Sequence, residues 1–305
     1  MLATSKELQV IVRVIVAALL SMLAITSLSA QEQTTPVSTE NAVQAVAKVE
    51  SKQRESLPLW EAGVFGMGIS HPAYPGAETQ SSLAFALPFI IYRGDILRID
   101  RGDVGVSALK TPRAEIEVCF AASLAARASA IPARRGMDDL GTLLEFGPRL
   151  KINLGDETLG RSDSRLQLPL RFVFDANDHL RYKGIAYELQ WIRELWLAEK
   201  WRISSNLGAV WGDQDLVNTF YRVLPSEATP DRAAYTPTAG LISIRGSLLA
   251  TKLLTPEWRV LGYFRVESVA AGINQDSPLI RKEVGWTVGL GMAYTLAQSE
   301  RLSGN

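Results

Sequence analysis

The sequence predicts an all-β chain, a transmembrane antiparallel β-barrel of about twelve strands (10–14). Three observations carry that reading. Bulky apolar residues recur at every second position in segment after segment, tryptophans and tyrosines gather near the segment ends, and no apolar run after the N-terminal region is long enough for a membrane helix. Successive side chains on a strand point to opposite faces, so a period of two is strand geometry. A helix would need ~20 consecutive apolar residues to cross a bilayer, whereas a tilted strand needs about 10.

At the start, "MLATSKELQVIVRVIVAALLSMLAITSLSAQEQ" places Lys6 and Arg13 before an apolar run and small residues around Ser27–Ala30. That order reads as a secretory signal peptide cleaved after Ala30, the other reading being an uncleaved anchor. Residues 31–56 are polar and without aromatics, as in a flexible periplasmic leader. The barrel is expected from 57 to 296, with a short extension over 297–305.

Alternation then marks the strands in order. Leu83, Phe85, Leu87, Phe89 and Ile91 form one row, and Ile116, Val118 and Phe120 the next. They are followed by Leu144–Ile152, Leu166–Phe174, Ile185–Trp191, Trp201–Trp211 and Val260–Val266. Weaker candidates lie at Leu59–Ile69, Ile96–Asp100, Val104–Leu109, Leu216–Tyr221 and Tyr235–Ser247. The last strand is the clearest: in "EVGWTVGLGMAYTL", Val284, Trp286, Val288, Leu290, Met292, Tyr294 and Leu296 alternate with glycine, alanine and threonine. In a barrel the bulky rows meet lipid and the intervening rows line the interior. Trp60, Tyr92, Trp191, Trp201, Trp211, Tyr235, Trp258 and Trp286 fit interfacial girdles.

The intervening rows carry charge. Glu115, Glu117, Glu145, Arg149, Lys151, Arg165, Arg171, Glu188, Arg202, Arg265 and Glu267 are the candidate lumen-lining residues. Opposite charges there either pair across strands and stiffen the interior, or form a selective pore for a polar solute. Cys119 shares their parity.

Other chemistry is sparse. The 32 Lys+Arg balance 32 Asp+Glu, so there is no basic excess for nucleic acid. One cysteine and two histidines leave no cysteine-based metal site and point to no metal or cofactor. Ser70 and His71 are adjacent, and neighbours on a strand face opposite ways, which opposes a nucleophile–base pair. "DANDH" (Asp175–His179) and "GDQD" (Asp213, Asp215) suit tight turns as well as calcium. "RGD" at Arg93–Asp95 and Arg101–Asp103 reads as hairpin chemistry rather than an adhesion motif.

Four stretches resemble one family. "GMGISHPAYPGAE" carries Pro72, Tyr74 and Gly76 like its Pro-x-Tyr-x-Gly turn, and "LPFIIYRGD" carries Pro88 and Tyr92-Arg93. "NTFYRVLPSEATPDRAAYTPTAGL" matches through Tyr221, Val223, Tyr235 and Gly240, and "NQDSPLIRKEVGWTVGLGMAYTL" through Ser277, Pro278 and the closing strand. In order and spacing they resemble the MltA-interacting protein (MipA/OmpV) family. That resemblance implies a monomeric barrel in the outer-membrane lipid. It also implies a non-enzymatic scaffold joining a lytic transglycosylase to a murein synthase, other members being linked to outer-membrane permeability or adhesion. The alternative role is a channel or transport protein for small polar solutes or antibiotics. Leu296 stands where the resemblance leads one to expect a closing aromatic.

Overall fold

The computed structural model describes residues 58–93, 97–100, 103–111, 113–123, 125–155, 162–197 and 201–302. The expected signal peptide and the leader lie outside them, as do Gly94, Asp95, Arg101 and Gly102 of the two RGD stretches.

The strands are β1 (Trp60–Pro72), β2 (Gln80–Arg93), β3 (Leu97–Asp100), β4 (Asp103–Lys110), β5 (Ala114–Ser123) and β6 (Leu143–Asn153). They continue with β7 (Ser162–Asp175), β8 (Arg181–Leu197), β9 (Trp201–Gly212), β10 (Gly240–Leu253), β11 (Trp258–Ser268) and β12 (Val284–Gln298). Each pairs antiparallel with its neighbours in sequence, and β1 pairs with β12 through partners such as Val64↔Tyr294 and Met67↔Gly291, closing a barrel of twelve. Closure leaves no sheet edge at the seam.

The closing strand shows which medium the outside meets. Leu290 is 73% and Leu296 67% exposed, with Trp286, Val288 and Met292 exposed beside them. On the other parity Gly285, Thr287, Gly289 and Thr295 are buried. Large apolar residues outside and small or polar ones inside invert the order of a soluble protein, as a lipid-facing barrel requires. At the end of the barrel where β1 begins, Trp60 pairs with Tyr92, and Trp258 packs on Tyr294 at 4.6 Å. Trp201 starts β9 at the same end, completing part of an interfacial girdle.

Two expectations are corrected. Leu216–Tyr221 is not a strand but part of helix α1 (Gln214–Tyr221). Asp213 caps it, its carboxylate accepting from the Leu216 N–H at 3.0 Å, and Leu216, Val217 and Tyr221 bury one face at helical spacing. The Tyr235–Ser247 strand begins only at Gly240, whose φ of +152° sets the chain into β10; Tyr235 instead makes a single bridge to Val223.

β2 departs from the simple rule as well. Ile69↔Leu83, Met67↔Phe85 and Phe65↔Leu87 pair directly and so share a face. That face is also Glu61's, which reaches across the interior to Arg259. The apolar row of β2 therefore points inward, and Ser82, Ala84, Ala86 and Pro88 face out. Bulk on β1 and β2 fills space vacated on β12, where a Cβ on Gly289 would lie 2.3 Å from the Met67 methyl.

The three longest connections (124–142, 213–239 and 269–283) leave one end, together with 73–79, and connections no longer than 154–161 leave the end where β1 starts and β12 finishes. In bacterial barrels short turns are periplasmic and long loops extracellular.

Candidate functional site

The interior has three parts: a charged wall, an apolar wall and a cap. The charged wall runs over β5–β11. Glu117 accepts from Arg149 and lies 2.7 Å from Lys151. Arg171 sits 2.7 Å from Glu145 and 3.3 Å from Glu188, and Glu188 also takes the Arg245 Nε–H at 2.7 Å. Arg165 meets Glu194 at 2.7 Å. Glu267 accepts from the Ser243 hydroxyl at 2.6 Å, and the Arg265 guanidinium lies 3.5 Å from the Thr287 hydroxyl. Arg202 stacks over the Trp196 ring at 5.5 Å. Glu115 stands in register with Lys151. Cys119 is buried on the same face as Glu117.

Of the sequence-selected residues, the structure thus joins Glu117, Arg149 and Lys151 in one cluster and Glu145, Arg171 and Glu188 in another. Arg165, Arg202, Arg265 and Glu267 find partners outside the selected set. Glu61, Glu194, Arg245 and Arg259 are the charged residues that sequence selection left out. Glu194 and Arg259 share inward parity with a selected residue of their own strand and Arg245 pairs with selected Glu188, which is the signal that would have found them; Glu61 has no selected neighbour and is found only through Arg259. Charges removed from water are costly unless each is matched, so cross-strand pairing is what makes this wall tolerable.

The cap is built by the long connections. Tyr74, Ala77, Ala126, Ile131, Leu140, Val217, Tyr221, Val223 and Leu279 form one buried cluster with Leu143, Val173 and Ala186, the inner residues at the upper ends of β6, β7 and β8. Polar groups pin it. The Tyr74 hydroxyl donates to the Leu279 carbonyl at 2.7 Å, Tyr221 donates to the Pro75 carbonyl at 3.1 Å, and Ser277 donates to the Tyr221 carbonyl at 3.0 Å. Gly76 turns at φ +90°, and its carbonyl accepts from the Arg281 and Lys282 N–H groups at 2.9 and 3.1 Å. Arg134, buried, donates to the Phe220 carbonyl at 3.1 Å and lies over the Tyr74 ring. Arg232 donates to the carbonyls of Ala133 and Arg135.

Burial pushes the Tyr74 phenol up to about 12, against the pull of Arg134 and Arg281. Burial likewise raises Tyr221 well above its ordinary value and lowers Arg134. Both phenols remain protonated donors at neutral pH.

Pro72, which ends β1, together with Tyr74, Gly76, Ser277 and Pro278 therefore lies within this cap or at its margin. Tyr235 and Gly240 border it too: the Tyr235 hydroxyl reaches Asn274 at 3.3 Å, and Gly240 faces Ile273. The remaining polar candidates serve the backbone. His71 Nδ1 sits 2.8 Å from the Pro72 carbonyl, and Ser70 precedes it on the opposite face of β1. Asp175 accepts from the Asn177 N–H at 3.0 Å within the turn, and Asp178 pairs with Arg181. No group of three or more His, Cys, Asp or Glu residues is placed to hold a metal among the described residues.

Among solved structures, the chain is similar to an outer-membrane channel from Pseudomonas putida F1, at 15% identity over 80% of this chain and 98% of that one, with a TM-score of 0.37. It is also similar to the translocator domain of autotransporter NalP from Neisseria meningitidis, at 10% identity over 83% and 97%, with a TM-score of 0.38. The CymD monoaromatic hydrocarbon channel aligns at 8% identity over 86% and 94%, with a TM-score of 0.34. No curated protein matches the chain. The family model for the MltA-interacting protein MipA matches residues 64–296, which spans all twelve strands from within β1 to within β12. The chain belongs to the MltA-interacting protein family.

Proposed function

We propose that this chain is a non-enzymatic, non-conducting outer-membrane barrel that serves as a scaffold for murein-remodelling enzymes, engaging a lytic transglycosylase and, through it, a murein synthase at the short-turn end. One observation carries the reading: the long connections fold into a single buried core against the inner upper faces of β6, β7 and β8. A mouth filled in this way, above a wall whose charges are spent on each other, opposes free diffusion of solutes. The family name supplies the partner, since the family is that of proteins interacting with the transglycosylase MltA. The second reading is a channel for small polar solutes, favoured by the charged inner wall of β5–β11.

Single-channel recording of the full chain refolded in a planar bilayer separates the two. A silent bilayer with insertion shown independently is the expected result, together with retention of a lytic transglycosylase on immobilised barrel. Steady ion-selective steps would replace the scaffold by the channel.

A further inference from the structure

Among the described residues β2 lacks a second neighbour, besides β1, along most of its length. It pairs with β3 only through Tyr92↔Ile99 and Arg93↔Arg98, so from Gln80 to Ile91 its second edge has no backbone partner among the described residues. β3 and β4 cannot extend that wall. Asp100 pairs directly with Asp103, which leaves only residues 101–102 to join them. On the far side β4 reaches β5 no further than Gly105↔Cys119, and among the described residues Phe120–Ser123 pair with β6 alone. Among those residues the barrel thus closes on its short-turn side and is notched above β3 and β4.

The notch lies at membrane height. Ala84, Ala86 and Pro88 pair with Gly68, Gly66 and Val64, which pair in turn with Leu290, Met292 and Tyr294 of the exposed belt. What borders the notch inside is hydrocarbon. Phe65, Met67, Ile69, Leu83, Phe85 and Leu87 share the inner face, with Leu83 40% and Leu87 55% exposed. An apolar inner wall beside charged ones is costly against water. It is stable against acyl chains, and these surround the barrel at that level.

We infer that the gap between β2 and β5 is a lateral opening through which an acyl chain of a membrane lipid leaves the surrounding leaflet and lies along the inner face of β1 and β2. Continuity selects this occupant: the notch joins the lipid-facing belt outside to the apolar row inside, with no polar rim between Ala84 and Ile90 of β2. The inference does not rest on scaffolding and holds whether or not the lumen conducts.

The test uses the full chain with Cys119→Ser and one new cysteine carrying a bimane label, refolded in phosphatidylcholine vesicles whose acyl chains are brominated. Ile90→Cys, on the outer face, gives the lipid-exposed reference. Ser204→Cys, inward on β9 in register with Glu194 and far from β1 and β2, reports any quenching that passes through the sheet. Leu87→Cys is expected to lose fluorescence within about twofold of the loss at Ile90→Cys, while Ser204→Cys is unaffected. A Leu87 label quenched by iodide from the aqueous phase but not by bromine would overturn the opening, showing a water-filled wall. Protection from both quenchers would overturn it too, because a protein segment would then occupy the gap. Migration of each variant as a folded barrel on an unheated gel establishes that the comparison is between folded proteins.

Discussion

The Tyr74 hydroxyl, just beyond β1, donates to the Leu279 carbonyl, just before β12, at 2.7 Å across a sequence separation of 205. This bond ties the connection after the first strand to the connection before the last, over the seam where the barrel closes. A buried phenol that loses its acceptor is left with an unmatched donor, at a cost of about 1–3 kcal/mol. The pair therefore fixes the cap in the same place that β1↔β12 pairing fixes the wall.

Gly76 is the backbone device that permits this. Its φ of +90° is one that side chains rarely adopt, and an added Cβ would stand 2.9 Å from the Ile280 side chain. We predict that Gly76→Ala destabilises the folded barrel by about 1–3 kcal/mol, from left-handed strain plus overpacking. Gly136 has a similar φ of +81° but open space around it, so Gly136→Ala should cost only the strain, about 1 kcal/mol. Urea titrations of the two variants, refolded in the same detergent, give the comparison. Equal midpoints would show that Ile280 yields without cost.

Glu188, like Glu117, holds two cations of the charged wall, because Arg171 and Arg245 both turn to it. Its removal takes the carboxylate from Arg245 and leaves Arg171 with Glu145. We predict that Glu188→Gln destabilises the barrel by about 3–5 kcal/mol, the cost of breaking a buried pair from one side. Replacing Glu188 and Arg245 together by apolar residues should recover much of that loss. If the double variant is no better than the single one, Glu188 acts through packing and not through charge.

Most of the wall was legible in the sequence, because parity along a strand is a local property. Val284–Leu296 shows its two faces without knowledge of any neighbour. β2 was misread for the opposite reason. Its row from Leu83 to Ile91 has the same period, and which side of it faces lipid is decided by the partner strand, through Glu61 and Gly63. Helix α1 was hidden because Leu216–Tyr221 is too short to show a period; the Asp213 cap was the available signal. The cap itself was visible only as scattered motif residues. Tyr74, Tyr221 and Ser277 are far apart in sequence, and nothing local indicates that one donates to the next.

The buried phenols make the cap sensitive to alkali, and the sign follows from the direction of their shifts. Tyr74 titrates at about 12 in the folded chain and near its ordinary value of about 10 when unfolded. Below the unfolded value both states hold the proton and pH has no effect through this group. Above it the unfolded state ionises first, so stability falls as pH rises between ~10 and ~12, by roughly 2–3 kcal/mol at the upper end. Tyr221, raised in the same direction by its burial, adds to the loss. We predict that the barrel's urea midpoint is flat from neutral pH to about 10 and declines above it. Tyr74→Phe should lower the midpoint at neutral pH by removing the bond to Leu279, and should make the decline shallower because one ionisation is gone. Tyrosinate absorbance recorded on the same samples tracks the groups directly, with a late-titrating component that is smaller in Tyr74→Phe. A decline equally steep in the variant would assign the alkaline sensitivity to groups other than the Tyr74–Leu279 link.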